Sequence, residues 1–276
     1  MSVTGVVRGT LVAAGLLLSP SLVTPLAAAA EPVRVGGTGM ALAAMRHLGD
    51  SLRAVRPDIV VEVLPSLGTS GALRALQEGA IDVAVTGRRL KAEERAKGFV
   101  ETLCLRTPLL FASSHPAPGG IRAVDLPRLY SDPGPVWPDG RPLKILMRSR
   151  AGSENGYLLA FMPAMGVALE KAYGRPGVPV ATTDQDNAEL AQRTDGSFAV
   201  ITLLQLRAEK LDLRVVALDG IQPEPGAVAD TYPLWVSVCT VVKGESPPHP
   251  VAALLAHLRS ETGLRLVGTM GAVPAE

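Results

Sequence analysis

Cysteine is nearly missing from this chain: Cys104 and Cys239 are the only two in 276 residues. That is too few for a disulfide scaffold or a cysteine-based zinc site, and it is compatible with one bridge in an oxidising compartment. Aromatic residues make up 4% of the sequence, too little to line a sugar cleft with stacked rings. The four histidines, His47, His115, His249 and His257, show no metal-ligand spacing and read as surface residues. No metal and no cofactor are expected. An excess of either charge is lacking as well. The formal net charge is +1, and no Lys/Arg block with interleaved aromatics occurs, so nucleic acid is not an expected partner. Past the N-terminal segment, no apolar run approaches the roughly 20 residues that a membrane span needs.

What the chain does have begins at its N-terminus. Residues 1–30 read as a secretory signal, with Arg8 closing a positive n-region and Gly9 to Leu18 forming an apolar core. Pro20 and Pro25 then lead into the small residues Leu26-Ala27-Ala28-Ala29-Ala30. No cysteine stands at the cleavage point, which argues against a lipoprotein anchor. The expected product is a soluble, monomeric, periplasmic chain from about Glu31, the alternative being an uncleaved anchor helix. Its length suits one large or two ordinary domains.

Strand and helix patterns alternate, which predicts an α/β architecture. Leu42, Met45, Leu48, Leu52 and Val55 recur at helical spacing, so residues 40–55 are a predicted helix closed by Pro57. Further strands are expected at 59–64, 81–85, 143–148, 178–182, 198–202 and 214–218. Helices are expected at 70–77, 91–97, 124–130, 153–164, 167–173, 186–193 and, last, 251–260. Two strands, 102–113 and 234–242, are unusually long. If both cross between lobes, residues 31–108 and 238–276 form lobe one and residues 109–237 form lobe two. Two ordinary edge strands of one sheet are the alternative.

Three times an apolar run breaks into a glycine/hydroxyl loop that opens a helix: Gly36-Gly37-Thr38-Gly39, Gly68-Thr69-Ser70-Gly71 and Gly152-Ser153-Glu154-Asn155. A helix N-terminus offers unpaired N–H groups and about half a positive charge, so three such ends in one cleft would hold an oxyanion. Competing readings are weaker. A dinucleotide fingerprint at 33–40 has Leu42 in place of its third glycine. A Ser70 nucleophile elbow has Ala72 where glycine is required, which counts against an exported hydrolase.

The order of these loops resembles the substrate-binding protein of the bacterial phosphate ABC transporter, a type II periplasmic binding protein. Gly37-Thr38-Gly39-Met40 is similar to that family's first anion loop, and Gly68-Thr69-Ser70-Gly71 with Ile81 to Thr86 is similar to its second. Arg148 to Asn155 resembles its arginine-loop-helix motif, and Tyr232-Pro233-Leu234 its return into lobe one. The resemblance implies a two-lobe α/β fold with two hinge-crossing segments and no catalysis. It implies capture of an inorganic oxyanion, phosphate first, for an ABC permease. The implied ligand set is Thr38, Gly39, Met40, Thr69, Ser70, Thr86, Arg88, Arg148, Ser153, Glu154 and Asn155.

Two departures bear on specificity. Gly87 replaces the family's usual acidic residue, and Ser153-Glu154-Asn155 replaces Ser-Gly-Thr. Glu154 either caps its helix or points inward and repels a dianion. Another anion, such as sulfate, molybdate or a small organic acid, and a non-transport sensor role stay open. Arg88, Arg89, Arg148 and Arg150 have solvated positions as their alternative, Asp184 reads as a helix cap, and Trp137 reads as packing.

Overall fold

A computed structural model describes residues 1–5, 32–223 and 231–275. All but the first five residues of the signal segment therefore lie outside the described residues. Among the described residues no helix is long and apolar enough to cross a membrane.

The chain starts with strand β1 (Val33–Gly37), which passes through a 3-10 turn (Gly39–Ala41) into helix α1 (Leu42–Val55). Leu42, Met45, Leu48 and Leu52 face inward from α1, as their spacing predicts. The helix begins two residues later than expected because Ala41 leaves the helical region, with φ −133° and ψ 1°. Strand β2 (Val61–Val63), helix α2 (Gly68–Gln77), strand β3 (Val83–Thr86) and helix α3 (Ala92–Arg95) follow. β1 pairs in parallel with both β2 and β3.

Strand β4 (Phe99–Ser113) is 15 residues long and changes partners along its length. Its first part pairs antiparallel with β11 (Trp235–Lys243); from Leu109 onward it pairs with β9 (Ser197–Thr202) and β10 (Arg214–Leu218). Pro108 has no N–H to give, and it sits opposite Trp235, where one set of partners ends and the next begins. The missing donor therefore falls at a junction. Cys104 and Cys239 are register partners on β4 and β11, and they are joined in a disulfide with Cα atoms 4.1 Å apart.

Beyond β4 come β5 (Gly120–Ile121), α4 (Leu126–Ser131), β6 (Lys144–Ile145), β7 (Met147–Arg148), α5 (Ser153–Phe161), α6 (Met165–Tyr173), β8 (Val180–Ala181) and α7 (Asp184–Arg193). Then β9 (Ser197–Thr202), α8 (Leu203–Ala208) and β10 (Arg214–Leu218) precede β11, and α9 (His249–Arg259), α10 (Glu261–Thr269) and β12 (Val273–Pro274) end the chain. The expected strand at 143–148 is split. β6 pairs with β9, while β7 pairs with β8 in a separate two-stranded sheet. This change of partner at Leu146 carries Arg148 out of the main sheet.

Helices α8 and α10 were not expected from the sequence. α10 starts at Ser260, whose hydroxyl accepts from Gly263 N–H at 3.1 Å directly after α9 ends. A side chain at Gly263 would collide with the His257 carbonyl, so glycine permits this tight helix-to-helix turn.

The apolar residues divide between separate cores. One gathers Leu109 to Val236 around Phe111 and Phe198, stacked with ring centroids 5.1 Å apart, with Tyr130 and Trp137 edge-on to Phe198. Trp137 is packing, as expected, and its indole N–H donates to the Gly196 carbonyl. A second core lies under α1 and α9 and includes Val35, Val85, Val238 and Leu254; a smaller one lies under α2. One histidine corrects the surface reading. His115 is buried beside Trp137; its Nδ1 accepts from Ala117 N–H and its Nε2 lies 3.0 Å from Asp139.

Candidate functional site

A cleft of about 400 Å³ lies where α2, β3, β7, α5 and α7 converge. Two of the three glycine/hydroxyl loops meet there. Thr69 Oγ1 on α2 and Ser153 Oγ on α5 are 3.5 Å apart, and Thr69 also accepts from Gly87 N–H at 2.9 Å. Neither α2 nor α5 has a side-chain N-cap bond, so both helix starts leave backbone donors for the cleft. Ser70 is exposed and lines the same cavity.

The first loop is used differently. Thr38 Oγ1 donates to Asp184 Oδ2 at 3.2 Å, and the Gly39 carbonyl accepts from Gln185 Nε2 at 3.0 Å. A side chain at Gly39 would collide with Gln185, which closes that loop from the opposite side. Met40 is packed in the aromatic core. The Thr86 hydroxyl is spent on the carbonyls of Arg88 and Cys239. Thus Thr38 reaches the cavity wall, while Gly39, Met40 and Thr86 do not line it.

Arg148 is the charged centre. It is 8% exposed, and its guanidinium donates to the Ala181 carbonyl and to Asp184 Oδ1, both at 3.1 Å. Glu154 Oε1 lies 3.1 Å from Arg148 Nε. That approach misses hydrogen-bond geometry, and both Glu154 oxygens are buried with no hydrogen-bond partner. Glu154 therefore points inward rather than capping its helix. Burial pushes its carboxyl up to about 7; Arg148 opposes this and Asp184 adds to it.

The remaining arginines are paired. Arg88 lines the cleft but forms a two-pronged bond with Glu94, 2.8 Å on each arm, which holds the Glu94 carboxyl down at about 2. Arg89 lies 3.6 Å from Glu101. Arg150 is on the surface with Glu170 and stacks over Tyr173. Asn155 turns away from the cavity and donates to the Ser149 carbonyl and to Tyr173 Oη. Tyr173 in turn donates to the Arg148 carbonyl at 2.6 Å. Asn155 thus steadies the arginine loop and does not line the cleft.

Asp184 is the residue that sequence reasoning misplaced. The cap of α7 is Thr183, which forms a reciprocal box with Asp186 and leaves the Asp184 side chain for Arg148 and Thr38. The Thr183-x-x-Asp186 spacing was the available signal. The one metal-type grouping among the described residues, Glu101 with Cys104 and Cys239, has both sulfurs in the disulfide.

A family model described as a PBP superfamily domain matches residues 22–256. The chain belongs to the PBP superfamily. Solved structures agree with that fold. One is described as a phosphate ABC transporter substrate-binding protein with bound phosphate, from Clostridium perfringens. It is 17% identical to this PBP-superfamily chain with a TM-score of 0.71, covering 89% of this chain and 100% of its own. An ABC-type phosphate transport receptor from Vibrio cholerae matches at 15% identity and a TM-score of 0.58, over 87% of this chain and 99% of the other. A reduced form of OxyR from N. meningitidis matches at 10% identity and a TM-score of 0.57, over 89% and 99%. At such identities the likeness is one of fold. No curated protein matches the chain by sequence.

Proposed function

We propose that this protein is an exported binding protein that captures an inorganic oxyanion, phosphate first, and delivers it to an ABC permease without making or breaking a bond. Residues 31–108 and 238–276 act as lobe one and residues 109–237 as lobe two, a division supported by the separate cores and by the change of partners along β4. The observation that carries the reading is the meeting of the uncapped starts of α2 and α5 beside Arg148. Backbone N–H groups, the Thr69 and Ser153 hydroxyls and one guanidinium are the donor set an oxyanion needs to offset its desolvation.

Glu154 takes over the place of the missing acid. A side chain at Gly87 would crowd Ser153 Oγ at 3.2 Å, so glycine here eases the approach of the two sides. The carboxyl that contacts the anion comes instead from α5.

The test is a thermal-shift panel of phosphate, sulfate, molybdate, tungstate and small carboxylates. A rise in Tm with one oxyanion is expected, because a ligand bound only by the native state stabilises it by RT ln(1 + [L]/Kd). No shift at millimolar concentration with any of them would refute the reading. One observation favours a second reading, a sensor of the same fold that has lost anion affinity: Arg148 is already neutralised by Asp184, with Glu154 beside it.

A further inference from the structure

We propose that Glu154 makes anion capture proton-coupled: an oxyanion that carries no proton enters the cleft together with one proton from solvent, held on the Glu154 carboxyl. The proposal rests on the oxyanion reading above and adds to it what the site exchanges with the solvent.

The charges around the cleft pair off until one is left over. Just past β3, Arg88 is matched by Glu94. From β7, Arg148 is matched by Asp184 at the start of α7, which donates nothing and accepts from both Arg148 and Thr38. From α4 and α6 the groups that face Glu154 are the Tyr130 and Tyr173 phenols, both shifted upward by burial and therefore neutral. From α2 the neighbour is the Thr69 hydroxyl. Glu154 is the odd charge. Counted together with Glu94, which neutralises Arg88, the lining charges Arg88, Arg148, Asp184 and Glu154 sum to −1 when Glu154 is ionised and to zero when it is protonated.

Its position leaves it little choice. The side chain is 2% exposed and folds back over Gly152, where any side chain would collide with its carboxyl. Neither oxygen has a hydrogen-bond partner, and Glu154 lines the cavity where the starts of α2 and α5 meet. An ionised carboxylate here would face the incoming anion at close range with poor screening, and like charges at that distance repel strongly. Protonation removes the repulsion and converts an unsatisfied acceptor into a donor aimed at the anion. The raised carboxyl, at about 7, puts that proton within reach at neutral pH. The balance is simple: a carboxylate oxygen gains a proton from buffer, and the new O–H donates to an anion oxygen. An anion that brings its own proton makes the same hydrogen bond without taking one from buffer.

Sulfate is the discriminating probe, since it does not titrate near neutral pH. Calorimetry of the whole mature protein with sulfate, in two buffers of different ionisation enthalpy at about pH 8, reads proton uptake directly. Uptake near one proton per sulfate is expected, with Kd rising about tenfold per pH unit above about pH 7. Glu154→Gln is expected to bind sulfate with no proton uptake and with a flat Kd. Sulfate binding to the wild type with no uptake and no pH dependence would overturn the proposal and leave the anion reading standing. No heat and no thermal shift with sulfate or phosphate, at about pH 6 or pH 8, would overturn both. The wild-type measurement decides the matter even if the variant fails to fold.

Discussion

The clearest consequence of the buried Glu154 is a pH-dependent loss of stability that needs no ligand. In the native state the carboxyl holds its proton up to about 7, against 4.5 for an ordinary glutamate, because burial dominates over the attraction of Arg148. Between those values the native state binds more protons than the unfolded chain, so stability falls as pH rises. The contribution is fully present below the unfolded value and gone once the pH passes through the folded one. Its size, worked from that difference, is about 3 kcal/mol. Glu154→Gln keeps the shape and removes the ionisation, so the variant should match the wild type near pH 4 and exceed it by about 3 kcal/mol near pH 8. Urea unfolding followed by near-UV circular dichroism in a buffer free of oxyanions measures both. Every other titrating group is common to the two proteins, and the difference between them isolates this one. Wild-type and variant curves that run parallel across the pH range would refute the reasoning, as would a variant less stable than the wild type near pH 8.

Arg148→Ala removes the guanidinium that lies between the buried Glu154 and Asp184 carboxylates and should cost about 3–5 kcal/mol at neutral pH while abolishing any anion-induced rise in Tm. Denaturant titration at about pH 5 and pH 7.5 should show that cost shrinking in acid, where Glu154 is protonated. Replacing Cys104 and Cys239 together with serine opens a closure between residues 135 apart in sequence, with an expected loss of about 2–5 kcal/mol. Equilibrium unfolding of the double variant checks this, and unchanged stability would mean that the paired strands β4 and β11 hold without the bridge.

Much of the architecture was legible because it rests on short-range pattern. The alternation of β-branched runs with helical periodicity marks an α/β chain, and β10 falls at Arg214–Leu218 as the run itself predicts. The long runs around Cys104 and Cys239 are β4 and β11, which lie inside the sheet and not at its edge. The glycine/hydroxyl loops also stood out, since the residues that open a helix are local. What the sequence determined alone was therefore the class of fold, the places where helices begin, and the presence of Arg148 at one of them. Tertiary structure alone decided which of those openings share a cleft. Thr38 and Asp184 are 146 residues apart, and their hydrogen bond ties the first loop to the start of α7. The split of residues 143–148 into β6 and β7 depends on β9 and β8, which lie tens of residues away. The direction of Glu154 depends on the space above Gly152 and on the charges of Arg148 and Asp184. Backbone pattern is encoded by neighbours along the chain; the charge state of a cleft is set by neighbours in space, and no local spacing reports them.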